Sequence, residues 1–272
     1  MSITIYGKKI LSWFPLLDGL FRRFIWSRIH FPEIEMRLLH EIQPGLIDVA
    51  VDVGAALGSY SWILNRISKQ VYAFEPGLSH NKYINRVIFG TNIKVIRSAV
   101  GSTCDQVGMY TLGSDSHAFH SATLSKSNPI VNVTGAHVDQ VDQVTLDSFL
   151  AQRLESDRTV DVLKVDVEGY ELEVFKGAFH VLSQHLPLII CEIEARHNAN
   201  YRDVFVLLRG LGYECYIFRK GVFELFSRDV IEDIQLEDDL NVRLSGNYDS
   251  SDNRYINNFI FQHPQTRIKV IR

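Results

Sequence analysis

Residues 47–53 read Ile-Asp-Val-Ala-Val-Asp-Val and stop at Gly54. A strand with one solvated face alternates apolar and polar residues. A short, nearly continuous apolar run closed by glycine instead marks a strand covered on both faces, the situation of a parallel sheet. Similar short runs recur at 70–74, 93–100, 160–165, 186–193 and 213–218, and residues 258–261 supply a seventh. Helical spacing lies between them. Pro32-Glu33 starts a helix carried by Ile34, Leu38 and Ile42 and ended by Pro44-Gly45. Tyr60, Ile63, Leu64 and Ile67 follow the first run, and Val204, Leu207, Leu208 and Leu211 follow the fifth. Strands alternating with helices predict an α/β fold, a parallel sheet with helices on both faces.

Composition narrows the function classes. At 46% hydrophobic and 22% charged, the 272-residue chain has ordinary globular usage, which excludes disordered and fibrous classes. A net charge of −4 excludes a global basic field for nucleic acid. Cys104, Cys191 and Cys215 are odd in number, far apart and without metal-ligand spacing. They predict no metal site and a reducing, cytoplasmic setting. The ordered strand series favours one domain, 32–272, preceded by an arm, 1–31. The arm carries Lys8, Lys9, Arg22, Arg23 and Arg28 against Asp18 alone, interleaved with Trp13, Phe14, Phe21, Phe24 and Trp26. Two roles stand for it. It is a basic, aromatic surface for the inner face of an anionic membrane, or a helical arm packed on the main domain or on a homodimer partner. Residues 102–140, rich in Ser, Thr, Asn, Gly and His, and the acidic residues 228–255 read as long functional loops.

In an open parallel sheet, ligands bind beyond the carboxyl ends of the strands, where strand order reverses. The first run leads through Asp52-Val53-Gly54-Ala55-Ala56-Leu57-Gly58 into a helix, whose first N–H groups suit a carboxylate or phosphate. Glu75, ending the second run, is placed to accept hydrogen bonds from a ribose diol. Together these point to a cofactor that contains a nucleoside. The dinucleotide pattern G-x-G-x-x-G is broken, because Ala56 and Ser59 stand at its second and third glycine positions. An acid just before the turn suits a cationic amino group, and S-adenosylmethionine (SAM) carries an ammonium and a sulfonium.

The strings VDVGAALGSYS, YAFEP, VIRSAVG, VTLDSFL, VDVLKVDVEGYELEVFKGA and PLIICEIE, in this order across roughly 33–220, resemble the FkbM family of SAM-dependent methyltransferases. Ala56-Leu57 departs from the family's usual polar residue and isoleucine. The resemblance implies a Rossmann-like class I fold: a seven-stranded, mostly parallel sheet whose last strand is antiparallel. Asp52, Gly54, Ala55 and Gly58 would then bind the methionine end of the cofactor and Glu75 the ribose. Ser98 and Ala99 would lie near the adenine, and Asp166 would border the reacting methyl. The resemblance further implies O-methylation of a hydroxyl on a saccharide, glycolipid or related natural product.

Transfer to a hydroxyl needs alignment and a group to take the proton. Asp166, Glu168, Glu192 and Glu194 are expected at the ends of neighbouring central strands. Asp166 and Glu192 are the preferred catalytic carboxylates, and Glu168 reads equally as a cap of the next helix. Among histidines, His117 is preferred over His120 and His197, because an insertion after the third strand can fold over the cofactor. Two other functions are carried: a cofactor-binding protein without turnover, and an NAD-linked oxidoreductase, which the missing glycines disfavour.

Overall fold

The computed structural model describes residues 34–88, 90–112, 122–126, 128–133, 135–228, 230–236 and 255–271. The basic arm, His117, His120 and the acidic cluster at 237–239 lie outside the described residues. Within them, no helix is long and apolar enough to cross a membrane.

After α1 (Ile34–His40), seven runs build one sheet: β1 (Ile47–Val53), β2 (Ser68–Phe74), β3 (Ile93–Ile96), β8 (Val160–Val165), β9 (Leu188–Glu192), β10 (Glu214–Arg219) and β12 (Asn258–Gln262). An eighth, β11 (Val222–Leu225), extends the seven-stranded expectation at the edge, giving the order β11-β10-β12-β9-β8-β1-β2-β3. It joins β10 through a two-residue turn, Lys220 at φ 50 and Gly221 at φ 84, the twist that tight hairpins favour. The sheet is parallel from β3 to β9. The last strand, β12, is antiparallel to both β9 and β10.

All seven β1 residues are buried, as the apolar run requires. Val49, Val51 and Val53 face a cluster containing Phe149, Phe175, Phe205 and Phe259. Ala50 faces the other cluster, with Leu64, Ile67 and Ile190. Burying β1 on both faces makes it the sheet's central rod. Strand order reverses beside it, with β2 on one side and β8 on the other. The helix α2 (Ser59–Ile67) follows β1, and α3 (Leu78–Val87) follows β2.

The expected polar loop at 102–140 contributes strands to a second sheet. Here β4 (Ala99–Val100), β5 (Asp105–Leu112), β6 (Ala122–Thr123) and β7 (Ala136–Val144) pair in the order β4-β7-β5-β6. Most of β7 is exposed, and His137, Asp139, Gln140, Asp142 and Gln143 interrupt its valines, so it shows no continuous apolar run. The run at 93–100 splits accordingly, β3 joining the large sheet and β4 the small one.

The small sheet is locked to the large one by a backbone approach. The helices α4 (Leu146–Ala151) and α5 (Glu171–Lys176) meet at Gly177, whose carbonyl accepts the Asp147 N–H at 3.0 Å. A Cβ at Gly177 would lie 1.9 Å from the Gly101 carbonyl oxygen. Replacing Gly177 with alanine is expected to cost about 1–3 kcal/mol through overpacking against backbone. Urea denaturation checks this, and an unchanged midpoint contradicts the locking contact.

Candidate functional site

A cleft opens at the carboxyl ends of β1, β2 and β8, where strand order reverses, with about 760 Å³ of empty space including its mouth. The large sheet contributes Gly54, Glu75 and Asp166. Ser98 and Ala99 line it next to β4, and Met109, Thr123 and Leu124 of the small-sheet segment form another wall.

Gly54 adopts φ 82, and a Cβ there would sit 1.8 Å from the Asp166 carbonyl oxygen. Only glycine lets β1 turn this close to the end of β8. The N–H groups of Gly54 and Ala55 both donate to the Phe74 carbonyl at 3.0 Å. Ala56, in the left-handed region at φ 45, donates its N–H to Glu75 Oε2 at 2.9 Å. Gly58, at φ 87, packs so tightly on Ile84 that a Cβ would lie 2.8 Å from its Cγ1, and it starts α2 without a side-chain cap. Buried Glu75 also accepts from the Gly77 N–H at 2.8 Å, with His80 Nδ1 3.3 Å from its Oε1. The β1 turn, the end of β2 and the start of α3 are thereby tied through one carboxylate.

Asp52 supports the turn from below rather than lining the cleft. Its carboxylate accepts from Ser61 Oγ on α2, and Lys164, its register partner on β8, lies on the same face. Burial pushes Asp52 up to about 6, against the opposing pull of Ser61 and Lys164. Lys164 is itself buried, 4.8 Å over the Tyr60 ring and 3.6 Å from Asp166 Oδ2, and donates to the Val165 carbonyl. Ala55 and Gly58 likewise shape the turn without lining the cleft.

Beyond β8, Asp166 and Glu168 both border the cleft although the strand ends at Val165. Glu168 takes φ 52, and its carbonyl accepts from Thr123 Oγ1 at 2.7 Å and Asn128 Nδ2 at 2.9 Å. It does not cap α5; its carboxylate instead lies 2.6 Å from His197 Nδ1. Glu192 faces Asn257 and stands away from the cleft, while Glu194 joins Asn257, Arg196 and His197. The structure thus gathers Gly54, Glu75, Ser98, Ala99 and Asp166 in one cleft. It leaves Asp52, Ala55, Gly58 and Glu192 outside the lining.

His80, Met109, Thr123 and Leu124 are cleft residues that carry no motif. His80 stands three residues past Gly77 in the first turn of α3, and the others sit in the segment whose polarity reads as loop. Glu171, at the start of α5, is buried, accepts from the Gly169 N–H at 2.8 Å and from Asn198 Nδ2 at 2.7 Å, and is pushed by burial up to about 7.

Comparison with known proteins bears on this geometry. The model of the methyltransferase FkbM domain matches residues 52–215, more than half of the chain. No curated protein matches the chain in sequence. Among solved structures, methyltransferase FkbM from Methylobacillus flagellatus KT is similar with 16% identity and a TM-score of 0.46 over 81% of this chain; the chain spans only 45% of that protein. An O-methyltransferase from Bacillus cereus in complex with SAH shows 12% identity and a TM-score of 0.44, covering 91% of this chain and 89% of that one. The precorrin-6y C5,15-methyltransferase from Geobacter metallireducens GS-15 shows 12% identity and a TM-score of 0.40, with 72% and 81% covered. Assignment to a family rests on the sequence match alone.

Glu171 gives a pH prediction. Its folded pKa is raised, so between pH 4.5 and about 7 the folded state holds a proton that the unfolded chain releases. Its contribution to stability is therefore complete below the ordinary carboxylate pKa and is lost as pH rises through about 7. Glu171→Gln removes that loss and keeps an acceptor for Gly169. The variant should match wild type near pH ~4 and exceed it near pH ~8 by on the order of 3 kcal/mol. Parallel stability curves would contradict a proton held on Glu171.

Proposed function

Because the chain belongs to the FkbM methyltransferase family, we propose that it is a SAM-dependent O-methyltransferase acting on a hydroxyl of a saccharide, glycolipid or related natural product. The observation that carries this reading is the glycine turn pressed onto the end of β8 with a buried acid, Glu75, one strand away. A turn–acid pair of this kind holds a nucleoside, and the interrupted glycine pattern argues against a pyrophosphate.

The residues present fit SAM. The first N–H groups of α2 have no side-chain cap, so they are open to the carboxylate of an amino acid. Glu75 Oε1 accepts from Gly77 with His80 Nδ1 3.3 Å away, and Oε2 accepts from Ala56 with a second lone pair for a ribose hydroxyl. Ser98 and Ala99 border the position for an adenine. Asp166 and Glu168 bring negative charge to the same cleft, which suits a cationic ligand.

When bound, SAM supplies an electrophilic methyl on a sulfonium. The chain does the rest. The β1 turn and Glu75 hold and orient the cofactor, which lowers the entropy cost of alignment. Asp166, with Lys164 Nζ 3.6 Å from its Oδ2, would place a carboxylate near the cationic end of the cofactor. Met109 and Leu124 present apolar surface that excludes water from one side of the cleft.

Calorimetry with the purified protein tests the cofactor assignment. SAM should bind and NAD should give no heat. Glu75→Gln keeps the side chain's size but replaces one acceptor oxygen with an N–H donor, which costs a bond to the turn as well as one to the ribose, so affinity for SAM should fall at least about ten- to hundredfold, the worth of hydrogen bonds to a charged group. Absence of SAM binding, or equal affinity in the variant, contradicts the assignment.

A further inference from the structure

A chain of polar side chains runs from the cleft wall into the protein beside the proposed cofactor site. Glu168 is the outer member, its side chain 30% exposed. His197 Nδ1 stands 2.6 Å from Glu168 Oε2 and 3.3 Å from Oε2 of Glu194, which is nearly buried. Glu194 is anchored in turn by the Arg196 guanidinium and by Asn257 Nδ2 at 3.1 Å, and Asn257 also donates to Glu192. Glu192, the preferred carboxylate of the fifth run, therefore faces Asn257 rather than the cleft, and it is Glu194 that stands against the imidazole.

The backbone is shaped to bring this about. Glu168 sits at φ 52 and Gly169 at φ 100. A non-glycine residue in the left-handed region is uncommon and persists only where its surroundings hold it, often at functional sites. Here Thr123 and Asn128 hold the Glu168 carbonyl. A Cβ at Gly169 would lie 2.3 Å from the His197 carbonyl oxygen, so only glycine allows the two loops to meet. That meeting places the imidazole against Glu168.

We propose that Glu168 takes the proton from the acceptor hydroxyl, and that His197, backed by Glu194, is the positioning residue that fixes the Glu168 carboxylate. The inference rests on the hydroxyl-methyltransferase reading above. Glu168 suits this task because it sits where the small sheet meets the end of β8, on the side of the cleft facing Thr123. Asp166 is drawn the other way, toward Lys164. In the step, the hydroxyl proton passes to Glu168 and then to solvent. The oxygen–methyl bond forms, and the methyl–sulfur bond breaks with its electron pair left on sulfur.

The test has two arms. In the first, S-adenosylhomocysteine release is followed with a panel of methyl glycopyranosides as acceptors. Measured at saturating SAM, Glu168→Gln should lower turnover by about a hundredfold or more, the usual worth of general-base catalysis. His197→Ala should lower kcat about tenfold, and His197→Gln, which retains an N–H donor, should recover part of that loss. Glu168→Gln turnover within threefold of wild type overturns the proposal. In the second arm, proton NMR follows the His197 ring C–H resonances, identified by their loss in His197→Ala. The Glu168 carboxylate 2.6 Å from Nδ1 predicts that these resonances move in Glu168→Gln. Resonances that stay in place overturn the positioning contact. If wild type methylates none of the glycosides, the saccharide reading fails, and the NMR arm still decides the contact.

Discussion

The close approach of the β1 turn to the end of β8 is the constraint on which the rest of the site depends. With a Cβ at Gly54 only 1.8 Å from the Asp166 carbonyl oxygen, no other residue allows the two strand ends to meet. Their meeting aligns the Val53 carbonyl with the Asp166 N–H at 3.0 Å. It also sets where Asp166 and Glu168 emerge, because both follow directly from the last residue of β8. The cleft is thus a consequence of strand order plus one glycine, and Glu75 closes it by bonding the turn across to the end of β2.

A second layer of polar groups lies under this contact. Asp52 and Lys164 are neighbours in register on the α2 face of the sheet, both buried, with Ser61 and Tyr60 against them. Burying charge is costly unless it is paired and hydrogen-bonded. Here the lysine is shared between Asp52 below and Asp166 at the cleft, so one buried cation links the floor of the turn to an acid of the cleft wall. Glu171 and Asn198 form a comparable buried pair behind the loop that carries Glu168.

The large sheet is legible in the sequence because its strands are buried on both faces, and burial writes itself as apolar runs. The turn is legible because Gly54, Gly58 and Glu75 are residues that only this geometry needs at that spacing. What escapes is whatever is exposed or set by tertiary contact. Strand β7 is mostly exposed and shows no continuous apolar run, so 102–140 looks like a loop. Glu192 and Glu194 lie at the expected strand end, yet Asn257 takes Glu192 and Glu194 stands against His197, which no local pattern reveals. Asp52 has the right position for a ligand contact, but Ser61, nine residues on, captures it from the helix. His80 belongs to the site only because α3 begins immediately after the Glu75-Pro76-Gly77 turn.

The central claim is that the β1 turn, Glu75 and the end of β8 form one SAM-binding cleft. The most direct measurement is a crystal structure of the protein with S-adenosylhomocysteine. The account predicts the nucleoside between Glu75 and Ser98-Ala99, the amino-acid end over the Gly54–Gly58 turn, and the sulfur facing Asp166. Density for the ligand at another site, or a cleft that stays empty at saturating ligand, would contradict it.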